Sequence, residues 1–358
     1  LKALKRFGLT DKMLQVIQAI YTDRVFQVRD ASTLSSVRGQ TFGICQGCPL
    51  SPFLFVMVMT VLMHDAKRDL RTHLRYMEPP SDRVDELLYA DDTLLISADP
   101  LVLDFYMTCV GKAGRNYGLP FNWSKLEVMP PVRCAHQFYS PTGEKIKQKD
   151  HMRYLGSLLS NDGRIGIELN ARLGAARSDF ETLCKVWSHT SISKDRKLQV
   201  FSACVVSKLL YCLNVACLSK AEFRKLDGFQ AKCLRKIAGI KHSYWSHVSN
   251  KSVRDGLGSK PLSCFLRQQQ LMYLGEIARK PSGNVLRDSV FQPHSFQLCA
   301  PAGPRRRGRP RTTWARELFG IAIGFAGNVQ ALANMWADTP GAKASWQSAV
   351  QTYCDSAD

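Results

Sequence analysis

Residues 43–55 read Gly-Ile-Cys-Gln-Gly-Cys-Pro-Leu-Ser-Pro-Phe-Leu-Phe, a glycine-containing loop that runs into an apolar segment. Ser51 and Pro52 are typical of the cap and first turn of an α-helix, which the apolar pattern extends to about residue 70. The longest apolar run, 52–63, is too short to cross a bilayer. We therefore predict a helix buried in a protein core and no membrane-spanning segment.

On both sides of this helix, the sequence predicts further helices and short β-strands. Upstream, apolar positions at 13–21 share one helical face and lead into an alternating, strand-like stretch at 25–28. Downstream, two short apolar strands near 84–89 and 94–97 are predicted to be buried and joined by a tight turn, and a helix at 100–117 follows. After about residue 165, helical periodicity replaces the strand signals. The predicted fold is α+β.

Two further segments are recognised by their turn chemistry. A hairpin is predicted at 154–160, with its turn at 161–163, where the sequence reads Asn-Asp-Gly. A stretch rich in Pro, Gly, Ser and Arg at 281–310 predicts a linker, after which helical spacing resumes at 312–325.

The charge of the chain points to a polyanionic partner. Its 358 residues carry 49 Lys and Arg against 30 Asp and Glu, a formal net charge of +19 that repels itself unless a polyanion neutralises part of it. Nucleic acid is the partner that this balance favours. Only Cys45 and Cys48 of the 12 cysteines form a C-x-x-C pair, so we predict neither a structural zinc nor disulfides. No signal peptide is apparent at residues 1–6, and we expect an intracellular protein that is not secreted.

The predicted turn at residues 89–92 reads Tyr-Ala-Asp-Asp. Adjacent carboxylates repel one another unless water or a cation neutralises them. Mg²⁺ is suited to such a pair, because it is held by one or two carboxylates together with substrate phosphates. A pair of these ions can activate a 3′-hydroxyl and stabilise a pyrophosphate leaving group, as nucleotidyl transfer requires. By itself, the tetrapeptide favours an ordinary solvated turn over a metal site.

Five segments, in this order, give the turn its context. The loop at 43–55 is followed, beyond the turn, by Gly-Leu-Pro-Phe-Asn-Trp-Ser-Lys-Leu-Glu at 118–127 and by Arg-Tyr-Leu-Gly-Ser-Leu-Leu-Ser-Asn-Asp-Gly at 153–163. Together they resemble successive blocks of the reverse transcriptases of LINE-type, non-LTR retrotransposons. The stretch 180–240 is similar to the thumb of these enzymes, and Gly-Arg-Pro-Arg-Thr-Thr-Trp at 308–314 resembles a block beyond the thumb.

This resemblance, which runs from residue 1 to about residue 325, implies a right-hand polymerase. It places a partial palm at 1–163, a helical thumb at 164–290, a basic linker at 291–311 and a short helical region at 312–358. The implied activity is RNA-directed DNA polymerase, with two Mg²⁺ ions, or Mn²⁺ in their place. The implied partners are an RNA template, a DNA primer, the RNA–DNA hybrid that they form, and dNTPs. The implied location is the nucleus, after a cytoplasmic ribonucleoprotein stage.

The same resemblance implies roles for individual residues. Asp91 and Asp92 would ligate the metal ions. Lys125 would lie near the triphosphate, as a charge stabiliser or a proton donor to pyrophosphate, although a solvated surface lysine is an equally good interpretation. The residues implied to contact the template base and the incoming nucleotide are Gln46, Gly47 and Pro49. Those implied to position the primer end are Tyr154, Leu155 and Gly156.

Basic side chains in the helical region are candidates for contacts to the phosphates of an RNA–DNA hybrid, or they form a solvated face. The candidates are Lys194, Arg196, Lys197, Arg224, Lys225, Lys232, Arg235 and Lys236. A denser run resembles the core of an AT-hook, which inserts arginines into the minor groove. A nuclear localisation signal and a plain basic linker are equally compatible with that run. It consists of Arg305, Arg306, Arg307, Arg309 and Arg311.

One part that the resemblance implies does not occur in the sequence. In this family an Asp from an earlier strand, upstream of the helix at 14–21, completes the metal site. We therefore expect a C-terminal fragment that is inactive by itself. Two alternatives stay open, a non-catalytic nucleic-acid-binding remnant of a decayed element and a chromatin protein that uses its arginine run. An RNA-templated RNA polymerase shares the Asp-Asp hairpin, but the segment 43–55 argues against it.

Overall fold

The computed structural model describes residues 1–40, 43–45, 47–73, 86–131, 134–300 and 312–356. The chain forms two compact units, Leu1–Gly156 and Ser157–Asp358. The first mixes helices with short strands, and the second is mostly helical. The predicted α+β class is confirmed at this level.

The first unit contains helices α1 (Lys2–Phe7), α2 (Asp11–Tyr21), α3 (Ser51–His73) and α4 (Pro100–Asn116), with a 3₁₀ turn at Trp123–Lys125. Its strands are β1 (Val25–Phe26), β2 (Arg29–Asp30), β3 (Thr33–Leu34), β4 (Arg38–Gly39), β5 (Glu86–Tyr89), β6 (Asp92–Leu95), β7 (Glu127–Val128), β8 (Lys147–Gln148) and β9 (His151–Tyr154).

The main core of this unit lies between α3 and α4. Leu62, Ala66 and Leu70 of α3 pack against Tyr106 and Val110 of α4. All five residues are at most 4% exposed. The predicted helix is therefore confirmed, but the predicted burial of its apolar run 52–63 holds only in part, because Phe53 and Val56 are 66% and 59% exposed.

The second long helix begins and ends at the predicted residues. The Asp99 side chain accepts a hydrogen bond of 2.8 Å from the backbone N–H of Leu101, and Pro100 occupies the first turn. Beyond the last turn, Gly118 has a φ of 75°, which glycine adopts without a steric penalty.

An ion pair joins α1 to both long helices. Nη2 of Arg6 donates to Asp65 at 2.6 Å, and Nη1 bonds both Asp65 and Tyr117. The Tyr117 hydroxyl also donates to Asp65, at 2.7 Å. The hydrogen bonds from Arg6, followed by the one from Tyr117, hold the pKa of the Asp65 carboxyl well below its ordinary value.

The strands form small two-stranded sheets. Antiparallel pairs join β1 to β4, β2 to β3 and β5 to β6, and β7 pairs with β8 in parallel. The predicted Asp-Asp hairpin is thus present, but the prediction that its strands are buried is wrong. Leu87, Leu88 and Tyr89 are 42%, 42% and 64% exposed. In the described part of the chain, β5 and β6 pair only with each other, and no further strand covers this apolar surface.

The second unit begins with β10 (Ser157–Ser160). Its helices are α5 (Gly166–Thr182), α6 (Cys184–Ser188), α7 (Lys194–Phe201), α8 (Ser207–Leu210), α9 (Lys220–Ala238), α10 (Ser243–Ser246), α11 (Asn250–Asp255), α12 (Leu262–Arg279), α13 (Val285–Asp288), α14 (Trp314–Ala326), α15 (Val329–Met335) and α16 (Pro340–Ser356). The residues between β9 and β10 are Leu155 and Gly156, with φ values of 47° and 78°. The predicted hairpin turn at 161–163 is wrong, since those residues follow β10 and precede α5.

Two hydrophobic cores stabilise the second unit, and α12 contributes to both. Leu266 packs with residues of α5 and α9, including Leu169 and Leu226. One turn further along α12, Leu271 packs with Phe291 and with residues of α14 to α16. Phe291 is fully buried, so the segment 291–300 is not the open linker that its composition predicted.

Among the described residues, no single helix is long and apolar enough to cross a membrane. The pair α14 and α15, which is bent by 95°, passes that test jointly by length and composition.

Candidate metal and nucleotide site

Asp91 and Asp92 lie at the exposed turn of the β5–β6 hairpin. Tyr89 is paired with Asp92, so the loop consists of Ala90 and Asp91 alone, and Ala90 has a left-handed φ of 53°. Both aspartates are exposed. Neither carboxylate has a hydrogen bond or an ion pair with another described residue. Their mutual repulsion is therefore left to solvent or to a bound cation.

The other end of the hairpin is anchored to the helical core. Glu86, the first residue of β5, forms a 2.9 Å ion pair with Lys67 of α3 and accepts a hydrogen bond from the hydroxyl of Tyr106 in α4. Because Tyr106 is 2% exposed, the base of the hairpin is attached to a side chain that cannot move freely. The sequence did not predict this attachment of the hairpin to the helices, because the three residues are far apart along the chain and no local pattern relates them.

Tyr154, predicted to position a primer end, is the predicted site residue that the structure brings to the hairpin. Its hydroxyl donates to the carbonyl of Leu87 at 3.3 Å. Desolvation, with a smaller contribution from the charge of Asp92, raises the pKa of Tyr154 above its ordinary value. Tyr154 therefore lies within electrostatic range of the predicted metal ligands.

Lys125 is exposed at the end of the 3₁₀ turn. This turn is attached to the same part of the unit as β6, since Trp123 and Leu95 both pack into the small core around Met107 and Phe138. Within the described residues, the Lys125 side chain makes no hydrogen bond or ion pair with either aspartate. Its predicted role at the triphosphate stays a prediction.

The predicted nucleotide-binding loop precedes α3 and is hydrogen bonded to the first residue of that helix. Gln46 lies outside the described residues. Gly47 and Pro49 are exposed, and Gly47 has a φ of 83°. The buried Ser51 closes the loop, because its hydroxyl donates to the carbonyl of Cys45 at 2.7 Å.

The donor set at the hairpin turn suits a hard cation. Two carboxylates supply oxygen ligands, which Mg²⁺ prefers, and leave further positions to water and substrate phosphates. No group of three or more potential metal-ligating side chains occurs in the part of the chain that the structure describes. The arrangement therefore fits a metal that shares its ligands with a substrate.

The predicted nucleic-acid contacts of the second unit fall into two groups. Lys194, Arg196, Lys232 and Lys236 are exposed, as are Arg224 and Lys225. Lys197 and Arg235 are only 7% and 6% exposed, so their expected solvent-facing position is wrong.

Both buried cations are held by hydrogen bonds within the unit. Nζ of Lys197 donates to the carbonyl of Trp187 at 2.8 Å. Arg235 donates to the carbonyls of Lys241 and Val248 and to the side chain of Asn250. They occupy the core-facing side of their helices, whereas phosphate contacts require exposed side chains. The arginine run, Arg305, Arg306, Arg307, Arg309 and Arg311, lies outside the described residues.

Comparison with known proteins agrees with the motifs. Residues 1–159 match the family model described as reverse transcriptase (RNA-dependent DNA polymerase). This stretch contains the Asp-Asp hairpin, the loop before α3, Lys125 and Tyr154. Over this stretch the chain is similar to reverse transcriptases, as the motifs predicted.

One relative extends the likeness over nearly the whole chain. The "Transposon TX1 uncharacterized 149 kDa protein" of Xenopus laevis is 23% identical over 346 residues, which are 94% of this chain and 24% of that protein. The chain thus spans about a quarter of the length of this curated relative. The family match and the transposon relative together support the resemblance to non-LTR retrotransposon reverse transcriptases.

Proposed function

We propose that this chain takes part in RNA-directed DNA synthesis, with Asp91 and Asp92 as ligands of the catalytic Mg²⁺ ions. One observation carries the proposal. Within the stretch that matches reverse transcriptases, two adjacent carboxylates stand exposed at a two-residue turn without a partner among the described residues. Reverse transcriptases generally use divalent metal ions, and Mn²⁺ is an alternative to Mg²⁺.

In this proposal each residue has a limited task. Asp91 and Asp92 hold the metal ions, which supply Lewis-acid activation of a primer 3′-hydroxyl and charge stabilisation of pyrophosphate. Tyr154 fixes the hairpin through Leu87 and, with Leu155 and Gly156, borders the primer end. Lys125 neutralises the charge that develops on the triphosphate.

The substrates follow from the same proposal. They are an RNA template, a DNA primer, the resulting hybrid and dNTPs, which act in the nucleus after a cytoplasmic ribonucleoprotein stage. The first unit serves as part of the palm and the second contains the thumb. Gln46, Gly47 and Pro49 line the pocket for the template base and the incoming nucleotide. The phosphates of the hybrid are contacted by the exposed Lys194, Arg196, Lys232 and Lys236. This electrostatic contribution to binding weakens as the salt concentration rises.

Primer extension on an RNA template tests the proposal. Because the family resemblance implies a further Asp from an earlier strand, the assay compares the 358-residue chain with the same chain extended by its natural in-frame upstream sequence. We expect dNTP- and Mg²⁺-dependent extension from the longer protein and none from the chain alone. Asp91→Asn in the longer protein should reduce extension by at least about a hundredfold, since it removes a ligand needed for transition-state stabilisation.

Hybrid binding is measured in parallel and should be nearly unchanged by Asp91→Asn. Asp30→Asn is the matched control, because Asp30 is also exposed on a two-stranded hairpin of the first unit. Lys125→Ala should slow the chemical step more than it weakens dNTP binding. Extension that survives Asp91→Asn would refute the assignment of the hairpin as the metal site.

A further inference from the structure

Two adjacent aromatic side chains stand almost fully exposed on the short helix α10. Tyr244 is 71% exposed and Trp245 is 72% exposed, although large aromatic rings are normally buried. Of the six tryptophans in the chain, Trp245 alone is exposed. The ring centroids of the pair lie 5.0 Å apart at an interplanar angle of 89°, an edge-on contact that leaves ring faces open to solvent.

The segment that carries these rings is fixed from inside the protein. Arg235, buried at the end of α9, donates to the Lys241 carbonyl at 3.1 Å, to the Val248 carbonyl at 2.5 Å and to Asn250 Oδ1 at 2.9 Å. These acceptors flank α10 on both sides. Val248 also packs against the first core of the unit. The aromatic pair is therefore presented by an anchored loop.

The sequence on both sides of the pair is basic. From residue 228 to residue 254 the sequence contains no Asp or Glu. Lys236, Lys241 and Lys251 are exposed in this stretch, before and after the aromatic pair. A partner that presents flat apolar rings and negative charge together complements both features.

We propose that Tyr244 and Trp245 form a stacking platform for the bases of single-stranded nucleic acid, with neighbouring lysines contacting its backbone. Bases of single strands stack on exposed aromatic rings, whereas the bases of a duplex are already stacked on one another. The inference rests on the proposed function for its class of partner and makes no use of the metal site. It assigns to the second unit a contact to unpaired nucleotides, in addition to the proposed contacts to hybrid phosphates.

Fluorescence anisotropy of the 358-residue chain tests the platform, with labelled oligo-dT of about a dozen nucleotides compared with a mixed-sequence duplex of similar length. The double variant Tyr244→Ala/Trp245→Ala should weaken oligo-dT binding by about tenfold or more and duplex binding by less than about twofold. Tyr244→Phe/Trp245→Phe should retain affinity because it keeps both rings. Tyr139→Ala, which removes another exposed aromatic side chain, should change neither affinity.

Each other outcome overturns the platform. An unchanged oligo-dT affinity in the double alanine variant, or an equal loss on both ligands, shows that the rings do not read unpaired bases. If sedimentation shows that the double variant converts dimers to monomers without losing oligo-dT affinity, the two rings form a self-association surface instead. The proposed function is judged separately, because Asp91→Asn affects primer extension and leaves oligo-dT affinity unchanged.

Discussion

The Asp-Asp turn of the first unit and the buried charged residues of the second unit differ in how their charges are satisfied. In the first, Asp91 and Asp92 are exposed and have no partner among the described residues. In the second, Glu168, Lys197 and Arg235 are buried and hydrogen bonded. Charges that are satisfied within the chain stabilise it, whereas adjacent like charges left unsatisfied at a turn require water or an external cation.

Glu168 shows how completely the second unit satisfies a buried charge. One carboxylate oxygen accepts from the backbone N–H of Leu158 at 2.8 Å, and the other accepts from Nε of Arg172 at 2.7 Å. The carboxylate thereby attaches β10 to α5. Such a residue is expected to determine stability, and the Asp-Asp turn is expected to determine activity. Four sets of substitutions compare buried with exposed positions, and those at charged residues test this division.

Arg235→Ala should have the largest effect on stability. It removes a buried side chain and leaves the carbonyl and amide acceptors of the 241–250 segment without their donor, and we expect the free energy of unfolding to fall by about 3 kcal/mol. Chemical denaturation followed by circular dichroism measures the loss. Lys236→Ala, which changes the exposed neighbouring residue, should stay within about 0.5 kcal/mol of the wild type. Equal effects of the two variants would contradict the assignment of Arg235 as an internal anchor.

Glycine-to-alanine changes compare a packed helix face with an open one. A Cβ at Gly275 would lie 2.4 Å from Nε1 of Trp346, which is fully buried, so Gly275→Ala should destabilise by about 2 kcal/mol through overpacking. At Gly228, on the exposed face of α9, a Cβ would meet nothing within 4 Å. Gly228→Ala should therefore stabilise by up to about 1 kcal/mol. Thermal melts should show a lower melting temperature for Gly275→Ala and a higher one for Gly228→Ala than for the wild type.

Asp65 is a carboxylate of the first unit that, like Glu168 of the second, has its partners within its own unit. Its folded-state pKa is depressed, so its contribution to stability is present above its unfolded pKa of about 4 and is lost as pH falls toward the folded pKa. Asp65→Asn should cost about 1 kcal/mol at pH 7 and progressively less below about pH 4. Melting temperatures of wild type and variant between pH 7 and pH 3 measure this convergence. A difference that stays constant with pH would argue against the ion pair with Arg6.

Asp91→Asn and Asp92→Asn should have the smallest effect on stability, within about 0.5 kcal/mol, because each side chain is exposed and has no partner in the described structure. Each substitution should leave the free energy of unfolding unchanged or raise it slightly, because it relieves repulsion between neighbouring carboxylates. Denaturation without added metal measures it. A loss comparable to that of Arg235→Ala would show that the turn is a structural element.

Local rules predicted much of the first unit. Helical periodicity located α3 and α4, and the short apolar strands predicted the hairpin around Asp91. These features depend on residues a few positions apart, so the local sequence is enough to predict them. The family match over residues 1–159 supports the resemblance that the motifs indicated, and the assignment of Asp91 and Asp92 as metal ligands stays a prediction.

Only the tertiary structure decided which of these residues are exposed and which partners they have. Lys197 and Arg235 belong to basic stretches that composition assigns to the surface, yet packing places both side chains inside the unit. Tyr154 reaches the hairpin through Leu87, which lies 67 positions earlier. The sequence by itself thus determined the periodicities, caps and motifs of this protein. Burial and long-range pairing were left to the tertiary structure, because both depend on segments that meet only when the chain is folded.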